Sequence, residues 1–328
     1  MKGHTGLFPE YSLSPRSLVY WGPISEEARS HRSWYGASPG DLHTLFAHCG
    51  VGTAGTLPSL GKKLMYAGWG DRPSHSKPSV SISRLLKAES IGARVQGKPG
   101  RGFQACDIPS AYPSHYRMHP TGTAVRLYRG FYPEIRTWFM WCRVYVPREL
   151  PLGPFPAKVP GKYGRYKKEW PTQPGEYWSW LWAEQAGDTV KAGCDVEPIH
   201  GYGWYRMTED SAWWVDHMIR LRETAPGGRD GVIGQLVKAA TNAAIGIQGI
   251  GCDYLKLRDD WAPGMVPVTG KEGISTRGGE WVPGRRTMIH WHRYTVMQCG
   301  RTMYRLALPY AEAGRLTAIK TDAIEIAA

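Results

Sequence analysis

The sequence predicts an α+β fold, an antiparallel sheet packed by helices with a helical hairpin beside it, on three observations. Apolar, aromatic runs of strand length stand at Thr137 to Val146 and near Val196 to Trp204, and the chain ends in a strand, tight turn, strand pattern over Leu316 to Ile326. Two helical segments between Thr208 and Gly246 are broken by Pro226-Gly227-Gly228, which makes an αα-hairpin. A further helix runs from Thr287 to Leu308, where Pro309 stops it because proline has no amide hydrogen to continue the ladder.

In chain order, residues 1 to 55 mix Pro, Gly, Ser and aromatics around one helix at Asp41 to Cys49, capped by Asp41 and striped by Leu42, Leu45 and Phe46. Residues 71 to 81, with Pro73, Ser74, Ser76, Pro78 and Ser79, read as a loop, and Gly97 to Gly102 as a turn before a strand that ends at Asp107. Pro147, Pro151, Pro154 and Pro156 close the strand at Thr137 to Val146, and a basic, aromatic stretch follows from Lys158 to Trp170. A helix is expected at Tyr177 to Ala186.

In the hairpin, Thr208, Glu209 and Asp210 form a start signal, and Val215, Met218, Ile219 and Arg222 recur at helical spacing. The second helix, from near Asp230, carries Val232, Leu236, Ala239, Ala243 and Ile247 on a face expected to pack. Gly231, Gln235, Lys238, Asn242 and Ile245 lie on a face free to meet a ligand.

The 328 residues are 42% hydrophobic, enough for one large core or two modest ones. A formal charge of +13 favours a polyanionic partner, nucleic acid above all. Cysteines at 49, 106, 142, 194, 252 and 299 form no C-x-x-C pair, so a zinc ribbon and a thioredoxin-like motif are unsupported. No run of eighteen apolar residues and no signal-peptide core occur, so the expectation is a soluble protein of the cytoplasm with no membrane partner. The fifteen Trp are assigned to cores and interfaces before base stacking.

Three segments carry chemistry: Asp107-Ile108-Pro109-Ser110-Ala111-Tyr112-Pro113-Ser114, then Lys238-Ala239-Ala240-Thr241-Asn242-Ala243-Ala244-Ile245-Gly246, then Lys320-Thr321-Asp322-Ala323-Ile324. In this order they resemble motifs A, B and C of family B DNA polymerases, most like the protein-primed phage and plasmid enzymes. Ile91-Gly92-Ala93-Arg94 resembles the family's Tyr-x-Gly-Gly element, which touches template. Tyr35, Asp41 to Leu45, Thr53-Ala54-Gly55 and Ser59-Leu60 resemble the end of the proofreading exonuclease domain.

The resemblance implies a right-hand palm with a helical-hairpin fingers subdomain and no sequence for a thumb. Residues 1–70 would be an exonuclease-end remnant and 71–206 the first part of the palm, with room for an inserted subdomain at about 140–200. Residues 207–248 would be the fingers hairpin and 249–328 the second part of the palm, ending at motif C. Asp107 and Asp322 would be the catalytic metal ligands for two Mg2+ ions, with Mn2+ as an alternative, because nucleotidyl transfer uses paired hard cations and these prefer oxygen donors. Tyr112 would be the sugar gate that excludes a 2′-hydroxyl. Ile108, Ser110, Ala111, Lys238, Asn242 and Arg229 would bind nucleotide, and Gly92, Arg94, Ser114, Ile245 and Gly246 would meet template or DNA.

Departures accompany the match. Ile245 stands where motif B has tyrosine, and Lys320 and Ala323 replace the first Asp and the Ser of Asp-Thr-Asp-Ser. An ammonium beside two dications is repulsive, so Lys320 must point away or lose its proton. Only six residues follow Asp322, which leaves none for the family's Lys-x-Tyr element, and no Asp-x-Glu exonuclease motif appears. The function implied is a DNA-directed DNA polymerase core acting on primer-template DNA and deoxynucleoside triphosphates. A terminal (priming) protein and a separate thumb-bearing chain are candidate partners. The alternative is a degenerate polymerase that binds nucleic acid or a priming protein without chemistry. Reverse transcriptases and viral RNA polymerases are disfavoured because their Asp-Asp pair is absent.

Overall fold

Alternation in the longest strand decides the larger sheet. Between Thr137 and Val146, Met140, Cys142, Val144 and Val146 are all buried, while Arg143 and Tyr145 between them are exposed, the period-2 pattern of a strand with one wet face. The computed structural model describes residues 37–52, 54, 56–69, 78–90, 94–97, 103–107, 110–130, 132–160, 166–250 and 288–327. Tyr35, Thr53, Gly55, Gly92, Ile108, and most of the loop expected at 71–81 lie outside them.

The first elements are α1 (Pro39–His48), α2 (Leu57–Trp69), α3 (Val80–Glu89), β1 (Val95–Gly97), β2 (Phe103–Asp107), α4 (Ala111–His115), β3 (His119–Thr121), β4 (Val125–Tyr128) and β5 (Thr137–Val146). There follow β6 (Ala157–Pro160), β7 (Tyr166–Glu169), β8 (Gly175–Trp182), α5 (Ala183–Lys191), β9 (Asp195–Trp204) and β10 (Arg206–Thr208). The last are α6 (Ala212–Glu223), α7 (Val232–Ile250), α8 (Ile289–Glu312), β11 (Leu316–Lys320) and β12 (Ala323–Ala327). The chain divides into two compact units, residues 1–73 with 210–247, and 74–209 with 248–328.

The described part of the first unit is helical. Asp41 is not the cap of α1: Ser38 caps it, taking the Asp41 amide at 3.2 Å, and the Asp41 carboxylate accepts from the Ser38 amide at 2.9 Å. Pro39 at the first helical position fixes that start, and the reciprocal pair is a capping box. His48 Nε2 donates to the Leu221 carbonyl at 2.7 Å, which ties α1 to α6. α6 starts at Ala212 rather than at Thr208, because Thr208 is drawn into β10, paired with β3.

α7 is rotated from the expected register. Ile233, Val237, Ala240, Ala244 and Ile245 are buried with Leu236, whereas Val232 is exposed and Ala239, Ala243 and Ile247 are half-buried. Gly61 on α2 supplies the reason. A Cβ there would stand 2.4 Å from the Ala240 carbonyl oxygen and 2.6 Å from Ala244 Cβ, so the two helices touch along a stripe of small residues. In a helix apolar on most sides, that close approach sets the rotation.

The second unit holds two four-stranded antiparallel sheets, β4-β9-β5-β8 and β1-β11-β12-β2, with the pairs β3–β10 and β6–β7. The inner face of the first joins Leu127, Leu150, Phe155 and Leu181 to β5 in one core. The expected helix at Tyr177 to Ala186 is instead β8 up to Trp182 followed by α5. Trp178, Trp180 and Trp182 stand at period 2 on one face against Phe139 and Trp141 of β5, the spacing of a strand. α8 is the buried spine of this unit and runs through Pro309 to Glu312. Proline is tolerated there because Arg305, whose carbonyl loses its donor, is exposed and can be served by water.

His292 on α8 packs against Gly249 and is held neutral: burial first, then the nearby Arg293 charge, pull its pKa from 6.5 to about 4. Between these values the unfolded chain binds the proton and the folded chain does not, so stability is full above pH 6.5 and falls as pH drops towards 4. Urea titrations at stepped pH check this; His292→Phe should flatten the slope across that window.

Candidate active site

One end of the sheet β1-β11-β12-β2 gathers the motif A and motif C residues. β12 runs antiparallel to β2 with Ala323 opposite Asp107 and Ile324 opposite Cys106. Asp322 is therefore one residue from the register partner of Asp107, in the turn that leads into the adjacent strand. Opposed Cα atoms in such a pair lie about 5 Å apart, which puts the two aspartate Cα atoms roughly 6 Å from each other. Asp107 is exposed and Asp322 half-buried.

Two local distortions build this end. Ser110 (φ +54°) and Thr321 (φ +55°) are the two non-glycine residues with left-handed backbone among those described. One precedes α4 in motif A and the other makes the β11–β12 turn in motif C. Such conformations cost of order 1 kcal/mol or more each and persist where the surroundings impose them. The turn is pinned by the Thr321 amide donating to the Arg94 carbonyl at 2.7 Å and the Asp322 amide to the Lys320 carbonyl at 2.6 Å. α4 is fastened to α8 by His115, whose Nδ1 donates to the Ala111 carbonyl at 2.6 Å while Nε2 meets Thr302 Oγ1 at 2.7 Å.

Tyr112 is half-buried beside this turn. Burial, then the Cys299 thiol and the Asp322 carboxylate, push its pKa up to about 12, so it stays a neutral phenol. Cys299, buried on α8, is likewise raised to about 12 by burial and Asp322. Tyr112, Cys299 and Asp322 thus share one electrostatic neighbourhood. Ala111 is buried beneath them and Ser114 is exposed.

Lys320 shares a sheet face with Asp107 through Ala323, and its charge is met on that face. It stands opposite Ala323, and its ammonium forms an ion pair with Glu325, which is 3% exposed and lies further along β12 opposite Ala318 and Ala105. Glu325 was invisible to motif reading. The signal that would have found it is strand parity, since Lys320, Ala323 and Glu325 share one face of the sheet.

Arg94 departs from its expected role as a template contact. Its side chain is 0% exposed, stacked over Trp170 at 4.3 Å and Tyr304 at 5.6 Å, with Nε and Nη2 donating to Gln96 Oε1 at 3.0 and 2.5 Å. A guanidinium enclosed on all sides does not reach a phosphate. What Arg94 offers the site is its carbonyl, which holds the motif C turn.

In the first unit, Lys238 and Asn242 are exposed one turn apart on α7, with Gln235 on the same face. They line a groove of about 460 Å³ with Ala37, Asp230, Val232 and Ala239. Arg229 is exposed in the hairpin turn, where Gly227 and Gly228 adopt positive φ. Ile245 is 1% exposed, which corrects its expected place on the ligand-facing side. A Cβ at Gly246 would meet nothing within 4 Å, so packing inside the chain does not demand glycine there.

The donor set fits a hard divalent cation. Magnesium is commonly held by one or two carboxylates plus substrate phosphates rather than by a full protein cage. Two carboxylate residues brought near each other, one ending β2 and one in the β11–β12 turn, match this, and no group of three or more His, Cys, Asp or Glu among the described residues makes a closed metal site.

No protein-family profile and no curated protein matches this sequence. Solved structures do match. Phi29 DNA polymerase complexed with primer-template DNA and incoming nucleotide aligns with a TM-score of 0.66 at 17% identity, over 87% of this chain and 50% of that one. The fold matches part of phi29 DNA polymerase. The post-translocation complex of phi29 DNA polymerase with primer-template DNA aligns at TM-score 0.65 and 16% identity, and the orthorhombic crystal form of the enzyme at 0.63 and 16%. Each covers 93% of this chain and 54% of the phi29 polymerase chain, so this chain spans about half the length of those structures. Among the described residues, no helix is long and apolar enough to cross a membrane.

Proposed function

We propose that this chain is the core of a DNA-directed DNA polymerase, adding deoxynucleotides to a primer 3′-hydroxyl under template direction. The observation that carries this reading is the register Ala323↔Asp107, which sets the motif A and motif C aspartates side by side at one sheet end. The phi29 polymerase fold and the order of the three motifs support it. In this reading the sheet is the palm, α6 and α7 are the fingers hairpin, and primer-template DNA and deoxynucleoside triphosphates are the ligands. A terminal protein that primes replication is a further partner of the same proposal.

Asp107 and Asp322 would hold two Mg2+ ions. When bound, such ions lower the pKa of the 3′-hydroxyl and offset charge on the departing pyrophosphate. The 3′-oxygen forms its bond to the α-phosphorus as the bond to the β-phosphate oxygen breaks. Tyr112 stays uncharged at the pH of the reaction and presents an apolar ring edge to C2′ of the sugar, leaving a 2′-hydroxyl no room. Lys238 and Arg229 supply positive charge for the triphosphate, and Asn242 a hydrogen-bonding amide one turn away. The Lys320–Glu325 pair removes the repulsion that a bare ammonium would impose on the cations.

Primer extension with Mg2+ and a radiolabelled deoxynucleotide tests this directly. Tyr112→Val is expected to keep deoxynucleotide incorporation while raising ribonucleotide incorporation at least about tenfold, the equivalent of one steric contact of roughly 1.4 kcal/mol. Unchanged sugar discrimination would remove Tyr112 from the site. A second reading, binding of nucleic acid without chemistry, is favoured by the burial of Ile245, which leaves no motif B aromatic facing outward. It predicts DNA retention in gel-shift assays with no incorporation at any Mg2+ or Mn2+ concentration.

A further inference from the structure

The outer face of the sheet β4-β9-β5-β8 holds a second surface, remote in sequence from the aspartates and on a different sheet. At the Phe139 end, Ile82 and Leu86 of α3 and Ile289, Tyr294 and Met297 of α8 cover it. Beyond Trp141 the face opens. Trp141 stacks on Trp178 at 5.8 Å with planes 24° apart, leans on Trp180 at 5.9 Å, and Trp180 meets His200 edge-on at 5.5 Å. Cross-strand register fixes these rings, with Trp141 opposite both Trp180 and His200 and Arg143 opposite Trp178. Trp178 Nε1 donates to Glu176 Oε1 at 3.0 Å, which sets its plane, and the residue is still 39% exposed.

The ribbon β6–β7 forms the opposite wall of a groove of about 670 Å³ over these indoles, through Lys158 and Tyr166, the latter 75% exposed. The described ribbon residues carry Lys158, Lys167 and Lys168 against one acid, Glu169, which pairs with Lys167. Acids at the groove are already engaged: Glu89 pairs with Lys158 at 2.5 Å, Glu176 takes the Trp178 proton, and Glu197 lies between Arg129 at 3.3 Å and Arg143 at 2.7 Å. A rigid aromatic floor beside a basic wall matches a ligand with flat apolar faces on an anionic backbone.

We propose that this groove binds single-stranded nucleic acid, with unpaired bases stacked on Trp178 and Trp141 and phosphates along the β6–β7 ribbon. Duplex is the wrong ligand because its base faces are hidden in the stack, and an aliphatic protein helix would bring no anion to the basic side of the groove. The binding requires neither metal nor Asp107 nor Asp322, and it stands or falls apart from the polymerase reading.

The test is photo-crosslinking and affinity with a short oligothymidylate carrying 5-iododeoxyuridine, in chelator. Crosslinks are expected on Trp178 or Trp141. Trp178→Ala should weaken oligothymidylate binding about tenfold, the loss of one stacked base, whereas Trp178→Phe should retain most of it. Lys167→Glu with Lys168→Glu should weaken binding and lower its salt dependence. The double variant Asp107→Asn with Asp322→Asn should crosslink at the same tryptophans. Crosslinks confined to other segments, equal binding by Trp178→Ala and wild type, or equally effective competition by duplex would overturn the proposal. So would a protein ligand that protects Trp178 while oligothymidylate does not bind.

Discussion

Asp107→Ala and Asp322→Ala are each expected to lower Mg2+-dependent incorporation at least about a thousandfold, a loss of roughly 4 kcal/mol of transition-state stabilisation. Each removes one of two carboxylates from a site with no third to replace it among the described residues. The effect should be chemical rather than structural. Asp107 is exposed at a strand end, so its truncation opens no cavity, and Asp107→Asn should melt with the wild type. Asp322 sits in a tight turn held through backbone atoms, so Asp322→Asn keeps the turn while losing the charge. Steady-state extension assays beside thermal melts separate the two causes. Retained incorporation in either Asn variant would contradict the assignment.

Arg94→Ala is expected to destabilise the unit of residues 74–209 and 248–328 by about 3 kcal/mol, lowering its midpoint by roughly 6–12 °C. The substitution empties a fully buried volume between Trp170 and Tyr304 and strips Gln96 of its partner. Arg94→Met should behave differently. One guanidinium nitrogen, Nη1, is buried with no acceptor among the described residues, and burial pulls the pKa of the group well below its usual range. Replacing such a charge with an apolar chain of similar length is close to neutral or stabilising. Because Thr321 is held by the Arg94 backbone carbonyl, Arg94→Met should also keep its activity. Calorimetry of the two variants decides this, and equal losses from both would show that the charge itself is needed.

The elements legible in the sequence were those whose pattern is imposed locally. The period-2 run of β5, the Pro-Gly-Gly break of the helical hairpin and the terminal strand, turn, strand each follow from residues adjacent in the chain. β8 was misread although Trp178, Trp180 and Trp182 stand at the period-2 spacing of one strand face, the signal that would have found it. The rotation of α7 was hidden because Gly61 lies far away in sequence. Motif spacing singled out Asp107, Tyr112 and Asp322, and the register and electrostatics set their positions near one another. Glu325 and the buried placement of Arg94 were not legible, because both depend on which strand face is covered.

The α8 helix shows how tertiary context also rescues a local violation. A proline near its end breaks the ladder, yet the orphaned carbonyl falls on the wet side and the helix continues to Glu312. The same logic governs Lys320: a residue hostile to the site in isolation becomes compatible once Glu325, buried on the same sheet face, takes its charge.

The central claim is that Asp107 and Asp322 serve one cation cluster. Iron-mediated cleavage tests it without DNA or turnover: Fe2+ with ascorbate and peroxide cuts backbone close to the metal, and mass spectrometry maps the cuts. The account predicts cuts in both segments, around 107 to 112 and around 320 to 323, each lost when either aspartate is changed to Asn. Cuts at one segment alone, or cuts at one that survive loss of the aspartate in the other, would contradict it.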